Sequence, residues 1–139
     1  MDELFAALGQ SSFRRKFRLA SRERDYLAHH GLDQVLAHGR QFVTARLAPA
    51  RPSADGRQTP LAGHPIFVAQ HATATCCRNC LRRWHGIARF RPLTSEEIAY
   101  LLGVLRHWLE LDGQRCSNPP GEIPREDRQR QGRLFSADE

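Results

Sequence analysis

Apolar residues recur at helical spacing in two adjacent stretches in the first half of the chain. A helix is predicted from Ser21, a suitable N-cap, to the residue before Gly31. A second helix is predicted from Asp33 to Leu47, with Pro49 ending it. The two helices form a predicted hairpin that turns at Gly31. DNA-binding helix pairs share this outline with ordinary helical hairpins, so the pattern alone favours neither.

A third helical pattern, which begins near residue 94, is the clearest in the chain. Thr94 and Glu97 make a T-x-x-E capping box. The apolar residues after it keep helical spacing: Ile98, Leu101, Leu102, Leu105, Trp108 and Leu109. The pair Asp112-Gly113 is predicted to end this helix. The polar, proline-bearing residues 114–139 are predicted to be a disordered, flexible tail.

A loop and one more helix are predicted between these patterns. Residues 49–65 hold four prolines and two glycines without a helical period, which predicts a long ordered loop that ends near His64. Pro65 suits a first helical position, and a continuous helix is predicted from there to about Trp84, with Gly86 ending it. No stretch has the alternation of a strand. The sequence therefore predicts an all-α protein, a small single-domain bundle of about four helices over residues 1–113.

A short basic and aromatic run precedes the first predicted helix. Phe13 and Phe17 are four residues apart and are predicted to pack inward. Arg14, Arg15 and Arg18 are then predicted to face solvent.

The net charge belongs to the predicted helical domain. The chain holds 21 Lys and Arg and 15 Asp and Glu, a formal charge of +6. Residues 114–139 contain five Arg and five acids, so residues 1–113 carry 16 − 10 = +6. No Asp or Glu lies between Gly56 and Ser95, a stretch with six arginines. Such a field attracts anions, and nucleic-acid phosphate is the commonest large partner, although a solvated basic surface has the same composition.

The segment from His64 to His85 concentrates the residues that can carry chemistry. It holds three of the four cysteines and three of the seven histidines. The chain has no apolar run of membrane-spanning length, and its first residues are acidic where a signal peptide is basic. We therefore expect a cytoplasmic protein without membrane contact. Thiols stay reduced in that compartment, so clustered cysteines indicate metal binding or chemistry rather than a disulfide framework.

On one continuous helix this segment would present two faces. At about 100° per residue, Cys76, Cys77 and Cys80 share an apolar face that turns inward. The opposite side is a polar, cationic stripe that is predicted to contact a phosphate backbone. The residues predicted to bind nucleic acid or another anion are His71, Thr75, Arg78, Arg82 and Arg83.

The three thiols and His85, which lies just past the predicted helix end, are the predicted metal ligands. Cys77-x-x-Cys80 is a chelating spacing, and thiolate–imidazole coordination suits zinc, with an iron–sulfur cluster as the alternative. Two other interpretations stay open. Cysteine often packs as a small buried hydrophobe, and a thiolate could act as a nucleophile with His71 or His85 as base.

Several runs of this chain together form a recognisable signature. They are Arg46–Ala50, Asp55–Pro60, Gly63–Pro65, His71–Arg78, Cys80–Leu81 and Trp84–His85. With these runs the chain resembles an uncharacterised bacterial domain-of-unknown-function family. The resemblance implies that the Cys/His segment and the loop before it are characteristic of the family, and it implies no reaction.

The tail contains a second resemblance. Gln131-Gly-Arg-Leu-Phe135 is similar to the Q-x-x-L-F peptide by which bacterial replication and repair proteins dock on the DNA sliding clamp. Leu134 and Phe135 would enter an apolar pocket, and Gln131 would hydrogen-bond at its edge. A solvated tail and intramolecular docking are the alternatives.

These features predict a metal-containing, nucleic-acid-binding accessory protein of DNA replication or repair, tethered to the sliding clamp. The alternative is a small cysteine- or metal-dependent enzyme that acts on an anionic metabolite or a nucleotide. A third class is an interaction module in which the cysteines are only core.

Overall fold

The computed structural model describes residues 1–53 and 55–116 of the chain. Within these ranges it contains seven α-helices and no strand, which confirms the all-α prediction. The helices are α1 (Asp2–Gln10), α2 (Ser12–Arg15), α3 (Ser21–His30), α4 (Leu32–Phe42), α5 (Pro65–Ala72), α6 (Arg78–His85) and α7 (Ser95–Cys116). The clamp-like residues Gln131, Leu134 and Phe135 lie outside the described ranges.

Helix α7 is the central element, and it packs against α4 and α5. Its predicted capping box is present: the Glu97 backbone N–H donates to Thr94 Oγ1 at 3.1 Å, and the Thr94 N–H donates to Glu97 Oε1 at 2.9 Å. The predicted end at Asp112-Gly113 is wrong, because the helix continues to Cys116. Asp112 is buried there and accepts hydrogen bonds from Arg18 Nε and the Leu19 N–H.

The hairpin of α3 and α4 turns at Gly31, as predicted. Gly31 has φ +86°, a left-handed conformation that glycine adopts without a steric penalty. Helix α4 ends in one π-helical turn, Val43–Leu47, before the long loop. Within α4, Gly39 lets α5 approach closely, since a Cβ at this position would lie 2.7 Å from Ile66 Cδ1.

The long loop, residues 48–64, is fixed at its end by two side chains. Glu23 accepts hydrogen bonds from the Ala20 N–H at 2.8 Å and the Gly63 N–H at 3.0 Å. His64 then caps α5, because its Nδ1 accepts the Ile66 N–H at 3.0 Å. The loop therefore leads into α5 in a defined direction.

The described helices lack the length and apolar character that crossing a bilayer requires.

Candidate metal centre

The continuous helix predicted from Pro65 to Trp84 is wrong, because α5 ends at Ala72 and α6 begins at Arg78. Thr73 Oγ1 donates to the Ala69 carbonyl at 2.7 Å, and the Thr75 N–H donates to the Gln70 carbonyl at 2.8 Å. A threonine hydroxyl that bonds to the backbone, as in Thr73, competes with helix formation. The Thr75 bond spans five residues, whereas an α-helical bond spans four. Ala74 has φ +59°, a rare conformation for a residue with a side chain. The apolar spacing across the segment does not reveal this break.

The break brings the three cysteines together. Cys76 ends the loop between the helices, Cys77 is the N-cap of α6, and Cys80 lies in its first turn. Their Sγ atoms all lie within 4.8 Å of one another, and the Cys76 and Cys80 sulfurs are 3.7 Å apart. All three are free thiols. Cys76 and Cys77 are buried, whereas Cys80 is partly accessible.

Arg14 is part of this cluster, although the sequence predicted that it faces solvent. Its Nη2 donates to Cys80 Sγ at 3.2 Å, and its Nη1 donates to the His71 carbonyl at 2.8 Å and faces Cys76 Sγ at 3.7 Å. Arg14 is 9% exposed, whereas Phe13, which was predicted to pack inward, is exposed. Nothing in the local pattern marks Arg14, because its sulfur partners are more than 60 residues away in the sequence.

Cys76 and Cys80 differ in their ionisation. Hydrogen bonds from Cys76, Cys77 and Arg14 stabilise the thiolate of Cys80 and hold its pKa well below the usual value. Hydrogen bonds with Cys77 and Cys80, together with burial, raise the pKa of Cys76. The Arg14 guanidinium therefore favours a thiolate at Cys80 when no metal ion is bound.

His85 is not brought into the group of three thiols. Its Nε2 lies 2.9 Å from the Thr73 carbonyl, so this nitrogen carries the proton. Its Nδ1 lies 2.8 Å from the Tyr100 hydroxyl. Among the described residues, the group of His, Cys, Asp and Glu side chains with metal-ligand spacing consists of the three cysteines alone. The predicted Cys/His ligand set is thus reduced to its cysteines in this conformation.

The predicted anion-binding stripe is not formed, because its members no longer lie on one helix. Thr75 is fully buried, and Arg78 is 1% exposed. His71 is partly buried, with Nε2 at 3.0 Å from the Thr59 carbonyl and its ring stacked on Phe17. Arg82 and Arg83 remain exposed on α6.

Arg78 has a structural position instead. Its Nη1 donates to the carbonyls of Leu47, Ala48 and Pro49, at 3.3, 3.4 and 2.9 Å. Its Nη2 donates to the carbonyls of Ala88 and Arg91, at 2.7 and 2.8 Å. The Arg78 guanidinium thus links the start of the long loop to the segment that follows α6.

The long loop contacts the backbone of the cysteine segment. Thr59 Oγ1 donates to the Cys76 carbonyl at 2.8 Å, and Asp55 Oδ1 accepts the Arg78 N–H at 3.2 Å. Arg89 holds the second oxygen of Asp55 at 3.0 Å. The loop and the cysteine segment, which share the signature found in the sequence, are therefore in direct contact.

The arrangement can hold one metal ion through three sulfur ligands. Two thiolates on a tetrahedral zinc ion, each about 2.3 Å from it, lie roughly 3.8 Å apart. The separation of 3.7 Å between the Cys76 and Cys80 sulfurs matches this spacing. In a [4Fe–4S] cluster each thiolate binds a different iron, which requires wider spacing between the sulfurs.

Comparison with known protein families gives a match over most of the chain. The model of the family described as Domain of unknown function (DUF4186) matches residues 2–110, so the chain belongs to this family. No solved structure matches the chain. The family match covers the cysteine cluster, Arg14 and the loop that contacts them.

Proposed function

We propose that this member of the DUF4186 family is a metal-binding protein in which Cys76, Cys77 and Cys80 hold a single zinc ion. The observation that carries the proposal is the convergence of three sulfur atoms within 4.8 Å in a loop and helix start that are otherwise closely packed. Thiolates are preferred zinc ligands, and this spacing suits one ion rather than a cluster.

Arg14 supports the same proposal through charge. A zinc ion with three thiolates carries a net charge of −1, which is unfavourable in a buried site unless a cation lies nearby. The Arg14 guanidinium already donates toward two of the sulfurs and would neutralise that charge. Three protein ligands leave a fourth position, which in zinc sites of this kind takes water or a substrate.

The metal proposal is tested on freshly purified protein by elemental analysis and by cobalt substitution. We expect about one zinc per chain and, with cobalt, thiolate charge-transfer absorption of a tetrahedral site. Serine variants of Cys76, Cys77 and Cys80 should lose both signals. Cys116→Ser is the matched control, because Cys116 is the fourth cysteine of the chain and lies far along it.

A metal-free protein whose Cys80 reacts rapidly with iodoacetamide would contradict the proposal and favour the alternative, a cysteine-dependent enzyme. That enzyme class has its own support, since the Cys80 thiolate has a cationic neighbour and is the most accessible of the three thiols. Alkylation rates before and after chelator treatment separate the two classes.

Nucleic-acid binding in DNA replication or repair is the second candidate function. Its support is the charge of +6 in residues 1–113 and the exposure of Arg82 and Arg83. The proposed nucleic-acid contact surface excludes Thr75 and Arg78, because both are buried. Binding to a DNA duplex should weaken steeply with added salt, and the double variant Arg82→Gln, Arg83→Gln should reduce that slope. Salt-independent binding, or none at low salt, would count against it.

Docking on the sliding clamp is a separate part of this candidate function and rests on the tail sequence. Replacing Leu134 and Phe135 with Ala should abolish co-elution with the clamp, because these are the apolar residues of the motif. The control is Arg133→Ala, which leaves the motif positions unchanged. Co-elution that survives the double substitution would refute clamp docking and leave the metal proposal unaffected.

A further inference from the structure

A half-open cavity of about 210 Å³ lies between the α1–α2 corner and the end of α7. Its walls are largely apolar, with Phe5 and Leu8 from α1, Phe17 after α2, and Trp108 from α7. A cavity of about 150 Å³ holds a benzene ring, so this one has room for a single ring with a small substituent. It is too small for a nucleotide, since drug-sized ligands need about 300 Å³ or more.

The charged groups at the cavity favour an anion. Arg14 and Arg15 both line it, and neither has a carboxylate partner among the described residues. The one acid on the wall, Asp112, is neutralised: Arg18 Nε donates to one oxygen at 2.9 Å, and the Leu19 N–H donates to the other at 3.1 Å. A cationic ligand would therefore find no available carboxylate there, whereas an anion would meet the exposed residue Arg15. The Arg14 guanidinium already donates to the His71 carbonyl and to Cys80 Sγ.

We infer that the cavity between α1, α2 and α7 is a binding site for a small organic carboxylate with an apolar body of about one ring. The ring would lie against Phe5, Phe17 and Trp108, where offset and edge-on contacts between aromatic groups are favourable. The carboxylate would pair with the guanidinium of Arg15, whose planar fork of donors matches its geometry. This site is separate from the thiols, although Arg14 contacts both.

Binding is tested with benzoate as the probe and full-length protein, by calorimetry and by NMR of the Trp108 indole N–H. We expect saturable binding with a Kd of about 1 mM or tighter, in line with the efficiency of small ligands in concave sites. Benzyl alcohol, which has a similar shape without charge, should bind at least about tenfold more weakly, because the charge-assisted hydrogen bonds are lost.

Two variants make the test specific to the cavity. Gly9 lines it, and a Cβ at this position meets no atom within 4 Å, so Gly9→Leu should fill the space and abolish binding without disturbing the fold. The matched control is Gly103→Leu, at a helical glycine with equally open surroundings away from the cavity, and it should bind benzoate as the wild type does. Arg15→Gln, at an exposed residue, should weaken binding by about threefold or more.

The inference is overturned if benzoate shows no saturation, if benzyl alcohol binds equally well, or if Gly9→Leu binds as tightly as Gly103→Leu. These outcomes do not depend on the metal, since the titration is run on both zinc-loaded and chelator-treated protein.

Discussion

Replacing Arg78 should show that this residue stabilises the fold and does not act in binding. Its guanidinium faces five carbonyls, but three of the hydrogen bonds are short: those to Pro49, Ala88 and Arg91, at 2.9, 2.7 and 2.8 Å. A hydrogen bond from a charged donor contributes about 1.5–3 kcal/mol, which gives roughly 4–9 kcal/mol for three. Water can replace part of this, because the three bonds are only partly buried. Burying the charge, and the Arg78 Nε that lacks a partner, offsets part of this gain.

We therefore expect Arg78→Ala to lower the free energy of unfolding by about 4 kcal/mol, close to the whole stability of a marginal domain. Arg78→Lys should recover less than half of the loss, because one ammonium cannot reach both groups of carbonyls. Urea denaturation followed by circular dichroism measures these values. Arg82→Ala, at an exposed position of the same helix, is the control and should change stability by no more than about 0.5 kcal/mol. The reasoning is refuted if Arg78→Ala and Arg82→Ala are equally stable.

Three further predictions concern packing, pH and metal. Gly39→Ala should destabilise the protein by about 1 kcal/mol in urea, since its Cβ would clash with Ile66, whereas Gly9→Ala should stabilise it by a similar amount. Burial, with the nearby His38 and His30, lowers the pKa of His64 from 6.5 to about 4, so stability should be full above pH 6.5 and fall as the pH drops toward 4. His64→Asn, which can still cap α5, should make the melting temperature depend less on pH between 6.5 and 4. An unchanged pH dependence would contradict the assignment to His64. Free zinc at 100 times its Kd should raise the unfolding free energy by about 2.7 kcal/mol in wild type and Cys116→Ser but not in Cys80→Ser, and equal gains in all three would exclude the cysteine site.

Local signals in the sequence predicted the fold well. The capping box of Thr94 and Glu97, the turn at Gly31 and the helical start at Pro65 depend on neighbouring residues, and the structure contains all three. The break after Ala72 was missed because it arises from threonine hydroxyls and from a left-handed Ala74, which apolar spacing does not encode.

The candidate site was predicted only in part, because some of its contacts join residues that are distant in the sequence. The cysteines lie within five residues of one another, so the sequence placed them on one face, but the helix break that brings their sulfurs together was not predicted. Arg14 and Arg78 were placed on the surface by their charge, but each is enclosed by partners that are distant in the sequence or provided by backbone carbonyls. Only tertiary packing decides whether an arginine meets solvent or a buried acceptor.

The contacts of Thr59 and Asp55 with the cysteine segment should affect how easily a protease cuts the long loop. A stretch of 17 residues without regular structure, here 48–64, is ordinarily the first place where a protease cuts a native chain. In this loop Thr59 and Asp55 hydrogen-bond to the Cys76 carbonyl and the Arg78 N–H, the backbone groups on either side of Cys77. Cleavage of this loop by a protease should therefore require that these two hydrogen bonds break. Limited proteolysis should then report on the order of the cysteine segment without any label on the thiols themselves.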